Sequence, residues 1–287
     1  MITYDPKSWF SLIFHAYSRQ VFAKLLPSLI AIGLFTSITC AIEIEILDLN
    51  LVNSLAIHSM LGTVLGLFLV FRTNTAYERW WEGRKLWGSL VNNARNLSFK
   101  VNAHVKDPAA REAFATLIPD FVFALKEHLR DRADISVLQA SRYVPMGKAN
   151  PGSHVPNTLI AAMYRITNDL YSQGKLSAEQ LLLLDHELKA FTDILGACER
   201  IKATPIPYAY SMYMKKFIFI YVVSLPVGLV QAFFYWTIPV VLLVFYILVS
   251  IELIAEEIED PFGTDDNDLP TDSIESKIRT NVKEIIA

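Results

Sequence analysis

The densest group of chemistry-bearing side chains lies in AEEIEDPFGTDDNDLP, residues 255–270. Hard oxygen ligands crowded this closely suit calcium, with Asp265 and Asp268 as metal-ligating candidates. The spacing is not that of an EF-hand loop, which needs ligands at alternate positions and a Glu at its twelfth. A plainer role for Asp265 or Asp268 is to cap a helix beginning near Thr271. The six histidines, His15, His58, His104, His128, His154 and His186, form no HExxH or similar helical pair. Asp185, His186 and Glu187 are consecutive, but successive side chains on a helix diverge by about 100°, so they cannot converge on one metal. Cys40 and Cys198 lie far apart with no CxxC or Cys/His spacing, which argues against a disulfide framework and a structural zinc site. Neither an active site nor a metal centre is spelled out locally.

The elements that carry these residues are unusual in their hydropathy. Apolar residues make up 53% of the chain and the mean hydropathy is +0.33, which excludes intrinsic disorder. A formal net charge of −3 argues against nucleic-acid binding through overall basic charge. The apolar excess is concentrated in three uncharged runs, Leu25–Ile42, Leu51–Phe71 and Phe217–Ile251. The first is close to the minimum for crossing a hydrocarbon core about 30 Å thick, and the second would rise about 31 Å as a helix. The third is interrupted by Pro226, Gly228, Gln231 and Pro239, and is long enough for two short helices in a tight hairpin. Four crossings are expected. A cleaved signal peptide competes for the first run, but Asp5, Lys7, Arg19 and Lys24 precede it, and cleavage would leave an odd number of spans.

Basic residues orient the spans. Lys7, Arg19 and Lys24 precede the first, Arg72, Arg79, Arg84 and Lys85 follow the second, and Lys215 and Lys216 precede the third, while residues 43–50 contain no Lys or Arg. Both termini are therefore expected in the cytoplasm of a cell bounded by an inner membrane. The expected organisation is an N-terminal segment with two transmembrane helices (1–71), a cytoplasmic region (72–216), a transmembrane hairpin (217–251) and an acidic tail (252–287). The cytoplasmic region reads as helical over Leu90–Val101, Phe114–Leu129 and Leu176–Ile201, with residues 142–156 as a loop.

The second span carries polar and small residues that lipid does not require: Asn53, Ser54, His58, Ser59, Gly62, Thr63 and Gly66. Gly62 and Gly66 form a small-xxx-small pair suited to close helix approach. Ser59, Thr63, Leu67 and Phe71 fall on one stripe at four-residue spacing. Helix packing and the lining of a pore with a water-excluding constriction both fit this pattern. Four short spans are too few to enclose an aqueous path, so a pore requires a symmetric ring of subunits. Tyr77, Trp80, Trp81 and Trp87 just beyond the span suit an interfacial aromatic belt.

Three blocks together resemble the bestrophin family of ion channels, over nearly the whole chain: FRTNTAYERWWEGRKLWG (71–88), GACERIKATPIPYAY (196–210) and AEEIEDPFGTDDNDLP (255–270). The last is the most specific. The resemblance implies an all-α membrane protein with four transmembrane helices per subunit and a helical cytoplasmic region, assembled as a homopentamer around one pore. It places a hydrophobic neck on Thr63, Leu67 and Phe71, with Thr63 standing where the family has an apolar residue. A second constriction at the cytoplasmic exit falls on Glu179 by gapless matching, and a small rotation would present Leu182 or Leu183 instead. Five carboxylates there would favour cations. The calcium clasp of animal members corresponds to Glu257, Asp260, Asp265 and Asp268, with Glu257 and Asp260 replacing amides. No cofactor is implied as a requirement, and calcium at the acidic tail is the candidate. The expected function is passive conduction of small monovalent ions, chloride at family level, with a sodium- or potassium-selective channel as the alternative. An intramembrane enzyme or lipid-handling protein using His58 and the interfacial carboxylates is disfavoured, because the spans contain no Asp, Glu, Lys or Arg.

Overall fold

In the computed structural model, residues 16–47, 55–132, Leu138, Tyr143 and 154–286 are described. All regular elements among them are helical: α1 (Ala16–Ala41), α2 (Leu55–His104), α3 (Pro108–Leu129), α4 (Val155–Ser172), α5 (Ala178–Ala203), α6 (Tyr208–Phe233), α7 (Thr237–Glu259) and α8 (Thr271–Ile286). The chain divides into two compact units, one formed by residues up to Arg79 with Pro205–Glu259 and Asp265–Asn267, the other by Trp80–Thr204, Asp260–Thr264 and the residues from Asp268 on.

Among the described residues, the first, apolar unit contains three stretches long and apolar enough to cross a membrane, Gln20–Ile46, Ala56–His104 (which continues into the second unit) and Tyr208–Glu259. α1 ends in a π-helical turn, Ile42–Leu47. The last stretch is two helices, α6 and α7, packed on one another and joined by a single 3-10 turn, Phe234–Trp236. The break comes at Phe234, whose φ is +50°, a left-handed conformation costly for a side chain of this size. It does not come at the prolines. Pro226 lies within α6, and Pro239 falls in the first turn of α7, where a missing N–H costs nothing. The core of this unit is small: Leu65 and Leu69 of α2, Met214, Ile218, Val222, Leu225 and Leu229 of α6, and Val241 of α7.

The second, polar unit has one continuous core. Trp87, Leu90, Ala94, Leu97 and Val101 present one face of α2, joined by Phe114, Leu117 and Phe121 of α3, Leu159 and Met163 of α4, Leu184, Leu188 and Phe191 of α5, and Ile278 and Val282 of α8. Phe121 and Phe191 meet edge to face with centroids 5.1 Å apart. The helix starts are capped by sequence. Asp107 accepts hydrogen bonds from the backbone N–H of Ala109 and Ala110 ahead of Pro108, and Ser177 with Gln180 forms a reciprocal capping box on α5.

Two expectations change. Trp87 is fully buried in the core of the polar unit and does not belong to an aromatic belt, because it falls on the same α2 face as Leu90 and Leu97. Val155 and Pro156 open a helix and do not close a loop: α4 begins there, with His154 as its N-cap and Pro156 in the first turn. The expected loop otherwise lies outside the described residues except for Tyr143.

Candidate functional site

In the apolar unit, α2 has two opposite faces. His58, Leu65, Leu69, Arg72 and Ala76 are buried. At about 100° per residue, Thr63, Leu67 and Phe71 lie roughly on the far side of the helix, and all three are exposed, Leu67 at 56% and Phe71 at 54%. Thr63 and Thr75, on the same stripe, donate their hydroxyl protons to the carbonyls of Ser59 and Phe71 one turn back. This leaves only oxygen lone pairs and methyl groups to face outward, so the stripe stays largely apolar despite its threonines.

The buried face is locked by polar ties. His58 Nε2 lies 3.0 Å from the Ser224 carbonyl of α6, and its ring packs beside Tyr221. A Cβ at Gly62 would stand 2.6 Å from the Tyr221 hydroxyl, whereas one at Gly66 would meet nothing within 4 Å. Only Gly62 of the small-xxx-small pair therefore serves helix approach within the chain. At the inner end, Arg72, 1% exposed at its side chain, pairs through Nη2 with Glu259 Oε2 at 2.7 Å, and its Nε faces Glu252 Oε2 at 3.5 Å. Glu259 also accepts the Ile206 backbone N–H at 2.8 Å through its carboxylate, and the Arg79 Nε–H at 3.0 Å through its backbone carbonyl. One buried guanidinium thus holds α2, α7 and the chain before α6 together.

The three sequence blocks have separate structural roles. Arg72 and Arg79 of the first and Ile206 of the second belong to the tie just described. Phe262 of the third is buried in the core of the polar unit with Leu269, and a Cβ at Gly83 would stand 3.2 Å from each. Gly83 is thus what allows Phe262 to dock. Arg130 donates from Nε to the Phe262 and Gly263 carbonyls and pairs with Asp272 at 2.8 Å, as does Lys126. The Arg130 guanidinium, helped by Lys126, outweighs burial and holds the Asp272 carboxyl well below the ordinary range.

The remaining candidates are placed as follows. Glu179 is exposed in the first turn of α5, where it accepts the Ser177 hydroxyl proton at 2.6 Å, a bond that holds its carboxyl below the usual value. Leu182, at 67% exposure, and Leu183, at 44%, share its face of the helix within about 60°. In the tail, Glu257 accepts a 2.7 Å hydrogen bond from the Asn267 amide, Asp260 and Asp265 are exposed, and Asp268 is buried. Glu257 and Asp265 belong to one unit, Asp260 and Asp268 to the other.

The sequence-based reading missed two clusters. One is the Arg72, Glu252 and Glu259 tie, signalled only by these being among the first charges after their apolar runs. The other is in the polar unit, where His128 and His154 both place Nε2 against Glu199 Oε1, at 2.8 and 2.6 Å. Burial raises the Glu199 carboxyl, but hydrogen bonds and charge from His154 and His128 outweigh it, leaving the group below its ordinary value.

The family model for the bacterial and fungal bestrophin protein matches residues 1–284. The chain is a bestrophin. A protein of Nostoc sp. named as a voltage-dependent anion channel-forming protein is 36% identical over 99% of this chain and 94% of its own length. One of Escherichia coli K12 with the same description is 31% identical over 96% of this chain and 90% of its own. Among solved structures, a variant of a bacterial bestrophin homologue from Klebsiella pneumoniae superposes with a TM-score of 0.84 at 29% identity, covering 92% of this chain and 99% of that one. Bestrophin membership and the channel-named relatives point to a channel and not an enzyme, and the long apolar helices fit a membrane protein.

Proposed function

We propose that this bestrophin is a passive channel for small monovalent ions, formed by a ring of identical subunits, five by family resemblance, in a bacterial inner membrane with both termini cytoplasmic. The observation that carries the reading is the exposed stripe Thr63, Leu67 and Phe71, set opposite the buried face of α2. A helix anchored on one side and presenting bulky apolar side chains on the other supplies one stave of a hydrophobic neck, which conducts when widened enough to wet. α1, α2, α6 and α7 are the four crossings of this reading. One subunit cannot enclose a water-filled path, so closure needs the ring. The names of the relatives favour anions. Glu179, kept ionised by Ser177, favours cations wherever five copies converge, and makes a cation-selective channel the second reading. At the tail, Glu257, Asp260, Asp265 and Asp268 offer the hard oxygens calcium prefers. In this reading no cofactor is required, and calcium at the tail would share the Glu257 carboxylate with the Asn267 amide.

The test is the reversal potential of the purified protein in a planar bilayer under a salt gradient. Reversal toward the chloride potential supports the anion reading, and reversal toward the cation potential that shrinks in Glu179→Gln supports the second. Intact oligomers that pass no current would refute the channel. Leu67→Ala is expected to raise single-channel conductance, and an unchanged current would place the constriction elsewhere.

A further inference from the structure

Three helix ends of the polar unit meet at His128, His154 and Glu199. His128 lies in the last turn of α3, His154 is the N-cap of α4, and Glu199 lies in the penultimate turn of α5. One donor atom from each falls within 4.8 Å of the other two, and the imidazole rings are 4.4 Å apart, centroid to centroid. We propose that these three side chains form a binding site for a divalent transition metal, zinc by ligand type.

Two imidazole nitrogens, borderline donors, joined by one hard carboxylate oxygen make a two-histidine, one-glutamate set that zinc takes, whereas calcium and magnesium take oxygen ligands alone. Zinc bonds of about 2.0–2.1 Å at tetrahedral angles separate ligand atoms by about 3.3 Å. The present separations of 2.6 and 2.8 Å are those of hydrogen bonds to Glu199, so an ion is admitted by opening the first by about 0.7 Å and the second by about 0.5 Å. The side chains have that freedom, being about one-third exposed: 36% for His128, 32% for His154 and 35% for Glu199. Water takes the fourth position. The adjacent Cys198 thiol does not, because it is fully buried and burial pushes it up to about 12. Lys202, which donates to the His128 carbonyl, is paired with Asp131 at 2.5 Å, so its charge is compensated beside the site.

Coordination through Nε2 requires the imidazole proton on Nδ1. His154 Nδ1 now accepts the Asn157 backbone N–H at 3.3 Å, a long bond that metal binding surrenders. The helix start keeps its first intrahelical bond, from the Thr158 N–H to the His154 carbonyl at 3.1 Å. In exchange the ion staples α3, α4 and α5 together at one point.

The full-length protein in detergent, stripped with chelator, is titrated with cobalt(II) and then zinc(II). One cobalt per chain is expected, with the intense visible bands of a four-coordinate site, displaced by zinc, and zinc is expected to raise the thermal midpoint. His128→Ala and His154→Ala should each lose the cobalt bands and weaken zinc binding by at least about a hundredfold, the upper end of what loss of an outer-shell partner does. His186→Ala, at a side chain 79% exposed on α5, should change nothing. If a histidine variant fails to assemble, Glu199→Gln is measured in its place with the same expectation. Unchanged cobalt spectra in these variants would put the metal elsewhere and overturn the site. So would the absence of binding by the wild-type protein at micromolar metal, which would leave the three side chains a hydrogen-bonded cluster only.

Discussion

The two units handle apolar surface in opposite ways. In the polar unit Trp87, Phe114, Phe121, Phe191 and Phe262 are at most 1% exposed, in one continuous core. In the apolar unit Leu34, Ile38, Leu67, Phe71, Phe219 and Trp236 are each more than half exposed. The polar unit folds as a soluble domain does, by removing apolar area from water. In the apolar unit that driving force is absent between lipid-bathed helices, where close packing and polar ties take its place. Stability therefore resides in carbon in one unit and in a few heteroatoms in the other.

The largest effect should come from Arg72→Ala, which leaves the buried Glu252 and the half-buried Glu259 without their guanidinium partner at a cost of about 3–5 kcal/mol. Loss of assembled protein on size exclusion or a large drop in thermal midpoint is expected. Partial recovery should follow from Glu252→Gln with Glu259→Gln, and a wild-type midpoint in the single variant would break the comparison. Phe121→Ala in the polar unit should cost about 3–5 kcal/mol by denaturant melting, while truncation of Phe219, 63% exposed, should cost under about 0.5. Similar losses at the two positions would mean that the apolar unit also depends on its surface residues.

Gly62→Ala should cost about 1–3 kcal/mol, since the new methyl meets the Tyr221 hydroxyl. Tyr221→Phe removes that oxygen and should recover most of the loss in a double-mutant cycle, whereas additive losses would place the clash elsewhere. Asp272→Asn is the smallest, below about 1 kcal/mol because the Asp272 side chain is 64% exposed. The folded pKa of Asp272 is depressed, so its contribution is complete above the ordinary aspartate value near 4. It is lost as pH falls through the lower folded value. Wild type and variant should differ at neutral pH and converge in strong acid, and a difference that persisted there would assign the effect to packing.

The difference between the units also governs what the sequence disclosed. Uncharged runs revealed the apolar helices, and mixed three- and four-residue spacings revealed α3 and α5, because both patterns are local. The stripe Thr63, Leu67 and Phe71 was legible for the same reason. α2 read as two pieces because hydropathy changes at Arg72, yet a change of solvent does not end a helix, and no capping signal appears before Asp107 and Pro108. α4 was hidden behind a proline that reads as a loop residue but sits in a first turn. The ties Arg72 with Glu252 and Glu259, and His128 and His154 with Glu199, join residues on different elements, so no spacing rule could pair them.

Tyr221 seated in the notch at Gly62, with His58 held to the Ser224 carbonyl one turn away, keys α2 to α6 as a splined shaft is keyed to its collar. Turning α2 about its own axis would unseat both contacts, whereas tilting about Gly62 or changing side-chain rotamers would keep them. In the ring proposed above, an iris-like twist would thus be the costly way to separate the Leu67 and Phe71 side chains, and swinging the lower ends of α2 outward the cheap one.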